Sequence, residues 1–218
     1  MSLMKLKLPF MVAKYLTVAS VALGVLLPAG FAQAQTANSA ALGQAQAIAN
    51  QFTGVKTMTG EFVQFGPKGD QTGGKFYIER PGKIRFNYDK SPITVISDGE
   101  SVVVNNKKLD TWDLYPLSKT PLKLLLSDHV DLGGGRLRGL KNEPDALTMV
   151  LGDKAIFADA TIALMFDPAN AELKQWTITD AQRQDTTVMI FNVQKGVRFA
   201  DNMFKIDYQR MAMKRKTR

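Results

Sequence analysis

Residues 75–86 read KFYIERPGKIRF, two runs of alternating residues on either side of a proline and a glycine. Side chains alternate between the two faces of a strand, so Phe76, Ile78 and Arg80 share one face. That face is otherwise apolar, and Pro81 ends the strand. A cation placed there either reaches water at a rim or serves inside a cavity, and both interpretations stay open at this point.

The same two-residue period continues along most of the chain and predicts twelve strands. They are Lys56–Phe65, Gly74–Arg80, Lys83–Tyr88, Ile93–Ser97, Ser101–Asn105, Lys108–Tyr115, Arg136–Lys141, Ala146–Leu151, Thr161–Phe166, Leu173–Thr179, Thr186–Val193 and Phe204–Tyr208. Helical spacing predicts one long helix over Asn38–Phe52, and Pro121–Leu126 reads as a short helical turn. The fold class is therefore mainly β (α+β), and so many short antiparallel strands must close or nearly close.

One face of most predicted strands carries large apolar side chains. A barrel of many strands has more interior than its own side chains fill, which would leave a cavity for apolar cargo. The alternative is an ordinary, solidly packed sandwich core, and periodicity alone does not separate the two.

The N-terminus reads as a secretory signal peptide over residues 1–34. Lysines precede the apolar run Tyr15–Leu27, and Ala32-Gln33-Ala34 is a cleavage site that would leave Gln35 first. The run is too short for a transmembrane helix, although an uncleaved anchor is the alternative. We expect a domain over residues 35–208, followed by a basic tail over 209–218.

Charge and cysteine content limit the kinds of partner and covalent modification that we expect. Loss of the three lysines in residues 1–34 would lower the formal net charge of +8 to +5, and Lys214–Arg218 carries four of those charges. The excess of basic over acidic residues thus comes from the two chain ends and does not predict a nucleic-acid partner. The tail is expected to be disordered, with attraction to anionic lipid headgroups as the alternative. The chain has no Cys, so we expect no disulfide and no lipid-modified Cys at Gln35.

Catalytic and metal-binding patterns are missing from the sequence. The single His, His129, sits in a polar stretch and can neither complete a two-His metal set nor show a base partner, so a surface position is predicted. No nucleophile motif or phosphate-binding loop occurs. We expect no catalytic residue, no metal and no cofactor.

Several motifs together resemble the periplasmic lipoprotein-carrier family LolA. They are Phe62-Val63-Gln64, Glu79-Arg80-Pro81-Gly82-Lys83-Ile84-Arg85-Phe86, Ser97-Asp98-Gly99, Thr120-Pro121-Leu122-Lys123-Leu124-Leu125, Leu173-Lys174-Gln175-Trp176 and Asn202-Met203-Phe204-Lys205-Ile206. The match runs in order over roughly residues 41–208. The chain departs from the family at Val102-Val103-Val104, where members often have a Trp-aromatic pair.

The resemblance implies an incomplete antiparallel β-barrel with a helical lid over an apolar cavity. It implies a soluble periplasmic monomer, without nucleic-acid partners, that takes triacylated lipoproteins from an inner-membrane ABC transporter to an outer-membrane lipoprotein receptor. Arg80 matches the family arginine that bonds to the helical lid and holds the empty cavity closed. The expected acyl-chain lining is Phe62, Phe76, Ile78, Ile84, Phe86, Val102, Val104, Leu124, Leu125, Met149, Leu151, Trp176 and Ile178.

Release matters as much as binding for such a carrier. Burying acyl chain is worth about 0.8 kcal/mol per CH₂, so too hydrophobic a cavity would trap its cargo. The donors of Arg80 need acceptors, and the C-terminal carbonyls of a short lid helix at Pro121–Leu126 would supply them. Two other functions stay open: a carrier of another lipid, and a module of similar fold that senses lipid-bearing or misfolded proteins.

Overall fold

The structure is a computed structural model that describes residues 30–216, with side chains from residue 39 to residue 213. Four α-helices are α1 (Gly30–Gly54), α2 (Leu122–Leu125), α3 (Lys154–Phe157) and α4 (Tyr208–Lys216), and Leu117–Lys119 form one turn of 3-10 helix. Eleven strands are β1 (Thr57–Phe65), β2 (Gln71–Glu79), β3 (Lys83–Tyr88), β4 (Ile93–Asp98), β5 (Ser101–Asn106), β6 (Thr111–Pro116), β7 (Leu137–Asn142), β8 (Leu147–Leu151), β9 (Thr161–Asp167), β10 (Glu172–Thr179) and β11 (Asp185–Lys195).

All eleven strands form one antiparallel sheet in the order β6-β5-β4-β3-β2-β1-β11-β10-β9-β8-β7. Two meanders, β1–β6 and β7–β11, are therefore joined through the pairing of β1 with β11. The outermost strands, β6 and β7, do not pair with each other, so the barrel is incomplete. This confirms the predicted fold class.

The sheet is strongly curved. Phe86 on β3 and Trp176 on β10 lie four strands apart, which would separate them by about 19 Å on a flat sheet at about 4.8 Å per strand. Their ring centroids are only 6.1 Å apart. The inner face of the sheet thus wraps around one core, which helix α1 enters with Ala45, Ile48 and Phe52.

Helix α2 covers the same core from another side. Leu125 and Leu126 are fully buried, and Leu122 is nearly so. The short helical turn that was predicted at Pro121–Leu126 therefore covers part of the inner face of the sheet. No described helix is both long and apolar enough to cross a membrane.

Three predictions about the chain ends need correction or fall outside the described residues. Helix α1 begins at Gly30, eight residues before the predicted Asn38, and thus runs through the predicted cleavage site. Residues 1–29 of the predicted signal peptide lie outside the described part. The tail predicted to be disordered is helical as far as Lys216, because Tyr208, Arg210 and Met211 contact the sheet.

The predicted strand Phe204–Tyr208 is wrong. Phe204 and Ile206 are buried, which produces the alternation, but the segment pairs with no strand. It crosses the outer face, where Ile206 packs with Ile96 and Val103 and the Arg85 guanidinium donates to the Met203 carbonyl. Alternating apolar residues show that one side of a segment is buried, but they do not distinguish a strand within the sheet from an extended segment that packs across it. The short helix α3, capped by the Asp153 side chain, was not predicted.

Candidate functional site

Arg80 is buried, with 5% of its surface exposed. It stands at the end of β2, where Pro81 stops the strand, on the inner face with Phe76 and Ile78. The interpretation that it reaches water at a rim is therefore wrong. Its side chain points into the space between the sheet and two helices.

The guanidinium of Arg80 joins the ends of helices α1 and α2. Its Nη1 donates to the carbonyl oxygen of Val55, just past the end of α1, at 2.7 Å. Its Nη2 donates to the carbonyl oxygen of Leu125, the last residue of α2, at 3.3 Å. Helix C-termini carry unpaired carbonyls and the negative end of the helix dipole, so both are suitable acceptors for a cation. We call Arg80 with these two acceptors the latch.

The charge of Arg80 is poorly compensated. Its Nε–H has no hydrogen-bond partner, and no ion pair to it is found among the described residues. The Phe52 ring lies 4.1 Å from the guanidinium carbon and supplies a cation–π contact. Burial lowers the pKa of Arg80 to about 10, which leaves it protonated at neutral pH but disfavours the charged form. The latch is thus a polar contact of limited stability inside an apolar site.

The turn after Arg80 also holds helix α2. The Gly82 amide donates to the carbonyl of Leu126 at 2.9 Å, and the buried Ser97 hydroxyl donates to the Gly82 carbonyl at 2.8 Å. Gly82 has φ +80°, and a Cβ there would lie 2.6 Å from the Gly99 Cα. Only glycine fits at the point where these two turns cross. The segments Arg80–Gly82 and Ser97–Gly99, which belong to two of the motifs behind the family resemblance, are therefore in direct contact.

Most of the predicted acyl-chain lining belongs to one buried cluster. Its members are Phe62, Phe76, Ile78, Ile84, Phe86, Val102, Leu125, Met149, Leu151 and Trp176. Leu124 and Ile178 are half-buried against this cluster, whereas Val104 is half-buried outside it.

The interior around these side chains is packed. Phe76, Ile78, Ile84, Leu125 and Met149 are 0% exposed, so no water-sized space touches them. The inner face is therefore closed by its own side chains and by the two helices. An acyl chain can reach these residues only if α1 or α2 moves away from the sheet.

A preformed cavity of about 370 Å³ lies at one end of the barrel, next to the latch. Its wall includes Phe52 and Val55, which also contact Arg80, together with Met58, Leu173 and Ile190. None of its lining residues was among the predicted ones. Leu173 and Lys174 of the motif Leu173–Trp176 lie on one side of it, but the meeting of β10, β11 and α1 depends on long-range pairing that the sequence does not display.

His129 is exposed, as predicted. Between residues 39 and 213, no three His, Asp or Glu side chains cluster in a way that could hold a metal ion.

Comparison with known proteins gives a family match over most of the chain. The family described as outer membrane lipoprotein carrier protein LolA matches residues 53–207. An outer-membrane lipoprotein carrier protein of Halorhodospira halophila is 32% identical over 106 residues, which are 44% of this chain and 50% of that protein. The match thus spans half the length of this relative.

Solved structures that match this chain do so at low identity and with low TM-scores. A LolA superfamily protein from Nitrosomonas europaea has 9% identity and a TM-score of 0.41, over 75% of this chain and 98% of that one. A chain of the Pseudomonas aeruginosa MucA/MucB complex has 13% identity and a TM-score of 0.41, over 78% of this chain and 61% of that one.

Proposed function

This chain belongs to the outer membrane lipoprotein carrier family LolA, and on that premise we propose that it carries triacylated lipoproteins through the periplasm. It would accept them from an inner-membrane ABC transporter and deliver them to an outer-membrane lipoprotein receptor. The family consists of periplasmic carrier proteins rather than enzymes. The observation that carries the proposal is the buried latch, which closes two helices over an apolar inner face.

The inner face has the chemistry that acyl chains need. Each buried CH₂ contributes about 0.8 kcal/mol, and the clustered aromatic and aliphatic side chains supply the matching surface once the helices move away. Cargo would replace contacts that α1 and α2 make in the closed state. Binding therefore competes with closure, and closure helps to expel the cargo at the receptor.

The latch suits a cover that must open. Hydrophobic packing of Leu122, Leu125 and Leu126 alone would hold α2 against the sheet but would not fix its orientation. The Arg80 hydrogen bonds add a specific closed geometry, while the burial of a cation that has no acidic partner among the described residues limits how stable that geometry is. We propose that cargo breaks the latch and that its re-formation drives release.

A reconstituted transfer assay tests this proposal. Inner-membrane vesicles containing the transporter and a triacylated lipoprotein are incubated with the carrier, and lipoprotein is measured first in the soluble fraction and then on receptor-bearing vesicles. The wild type should appear as a soluble complex and then transfer its cargo. Arg80→Leu should load but fail to transfer.

Arg85→Leu is the matched control. It removes an arginine from the neighbouring strand that also donates to a backbone carbonyl, but on the outer face, so transfer should stay at the wild-type level. Normal transfer by Arg80→Leu would overturn the latch, and no soluble complex with the wild type would overturn the carrier function. Free lipid bound to the protein instead would identify a carrier of another lipid, and a bound polypeptide without acyl chains would identify a sensing module.

A further inference from the structure

The sheet splits between β10 and β11. Their pairing ends at Gln175 opposite Met189. Beyond that point Leu173 pairs with β9, while Lys195 pairs with β1. The two strands therefore separate at this end of the barrel, although each stays joined to its other neighbour. We call this gap the seam.

Irregularities in both strands produce the seam. The register between β9 and β10 shifts between Leu173 and Gln175, which leaves Lys174 as an extra residue on β10. The register between β1 and β11 shifts near Asn192, whose φ is +52°. Bulges of this kind bend a strand and increase its twist. Because both strands bulge at the same level, they diverge there.

The 370 Å³ cavity lies directly behind the seam. Leu173 lines it from the β10 side, and Ile190 and Val193 line it from the β11 side. Phe52 and Val55 form the opposite wall, where they contact Arg80. The volume is near the lower end of the range for small-molecule sites, about 300–1,000 Å³. It suits one acyl chain rather than three.

An ion-pair cluster closes the mouth of the seam. Lys195 Nζ on β11 lies 3.1 Å from Glu172 Oε1 on β10, and Lys174 Nζ lies 3.1 Å from Glu172 Oε2 and 3.7 Å from Asp167. Hydrogen bonds from Lys195 and then Lys174 hold the pKa of Glu172 below its usual value. These side chains are partly exposed, and such pairs are weak. The Lys195–Glu172 pair, which we call the clasp, thus spans the gap without sealing it strongly.

We propose that the seam between β10 and β11 is the entry port for the first acyl chain of a lipid-bearing cargo. The chain passes the clasp, occupies the cavity and displaces Phe52 and Val55 from Arg80, which opens the latch from inside. This inference rests on the proposed carrier function and adds the route by which cargo reaches the latch. Its ligand is a saturated fatty acyl chain whose polar head stays at the lysine and glutamate side chains of the rim.

Two pairs of variants test the port, with fluorescent palmitate as the probe. Val193→Trp fills the cavity and should weaken palmitate binding by about tenfold or more, whereas Met189→Trp adds the same side chain on the exposed outer face of the same strand and should bind normally. Glu172→Gln opens the clasp while it keeps both rim lysines for the palmitate carboxylate, and it should raise the association rate by about two- to fivefold. Glu143→Gln removes the acidic partner of a comparable surface pair with Lys141 and should leave the rate unchanged.

The outcomes separate this inference from the function on which it rests. Wild-type binding of palmitate together with unchanged affinity of Val193→Trp would overturn the port and leave the carrier function intact. A wild-type protein that binds no palmitate would overturn the port, whereas the carrier function is decided by the transfer of a triacylated lipoprotein. Should Val193→Trp fail to fold, as judged by circular dichroism, the association rate of Glu172→Gln decides, and a rate equal to that of Glu143→Gln would overturn the clasp and the port.

Discussion

Replacing Arg80 with leucine should change the free energy of unfolding by less than about 2 kcal/mol, although it removes every side-chain contact of the latch. Charge-assisted hydrogen bonds are worth about 1.5–3 kcal/mol each, and a cation–π contact about 0.5–2 kcal/mol. Loss of the two bonds to Val55 and Leu125 and of the contact to Phe52 therefore costs about 3.5–8 kcal/mol, and the centre of this range is about 6 kcal/mol.

Two gains offset this loss. Burial lowers the pKa of Arg80 from 12.5 to about 10. Removing that charge from the folded state therefore returns about 3 kcal/mol. A buried leucine in its place contributes about 1.5–3 kcal/mol. Losses and gains thus nearly cancel, in contrast to Phe76→Ala on the same face, which should cost about 3–5 kcal/mol.

Urea denaturation followed by far-ultraviolet circular dichroism measures both variants against the wild type. The transition of Arg80→Leu should nearly overlay that of the wild type, with an unchanged slope against urea concentration. A loss of more than about 3 kcal/mol would refute the reasoning, because Arg80 would then stabilise the fold itself rather than only the closed position of the helices.

Three further predictions concern the turn and two tyrosines. Gly82→Ala should destabilise the protein by about 2 kcal/mol or more in thermal unfolding, because its Cβ meets the Gly99 backbone, whereas Gly69→Ala, at nearly the same φ of +79° but with open space around its Cβ, should cost less. Burial raises the pKa of Tyr88 to about 12. The stability that the protonated hydroxyl contributes is therefore complete below about pH 10 and is lost as the pH rises through about 12. Between about pH 10 and 12, Tyr88→Phe should lose less stability than the wild type. Burial would raise the pKa of Asp98, but the amides of Ser101 and Glu100 and the Tyr208 hydroxyl outweigh it and hold the pKa below its usual value. The stability from Asp98 is thus present above about pH 4 and lost as the pH falls through the lowered pKa, so melting temperatures of Tyr208→Phe and the wild type should converge in acid.

Strands were predictable wherever one face of the sheet is buried and the other is not. The prediction for Lys83–Tyr88 matches β3 residue for residue, because Ile84 and Phe86 face the core while Arg85 faces outward. The same rule failed at Phe204–Tyr208, whose alternating burial comes from lying across the sheet rather than within it. Hydrophobic period identifies the buried side of a segment but not its hydrogen-bonding partner.

The site was predictable only in part, for a related reason. The placement of Arg80 on an apolar face, and its bond to the end of a short helix, follow from strand geometry and from the acceptors that helix ends leave free. Whether the inner face is hollow or packed depends on how closely opposite walls approach, which no local pattern encodes. The seam depends on two bulges, and only Asn192, a residue type that tolerates positive φ, left a local sign of one of them.

The central position of the β1–β11 pairing has a consequence for how the chain folds. Every other neighbouring pair in the sheet joins strands consecutive in sequence, whereas β1 meets a partner more than a hundred residues away. Pairing between distant segments is slow because a long loop must close first. We expect the two meanders to form early and independently and β1–β11 to pair last, so pulse-labelled hydrogen exchange should protect the Val63 and Met189 amides, which face each other across this junction, after those of β3 and β4. The folding chain would then pass through a state with two exposed half-sheets, which makes this junction the point at which misassembly between two copies is most favoured.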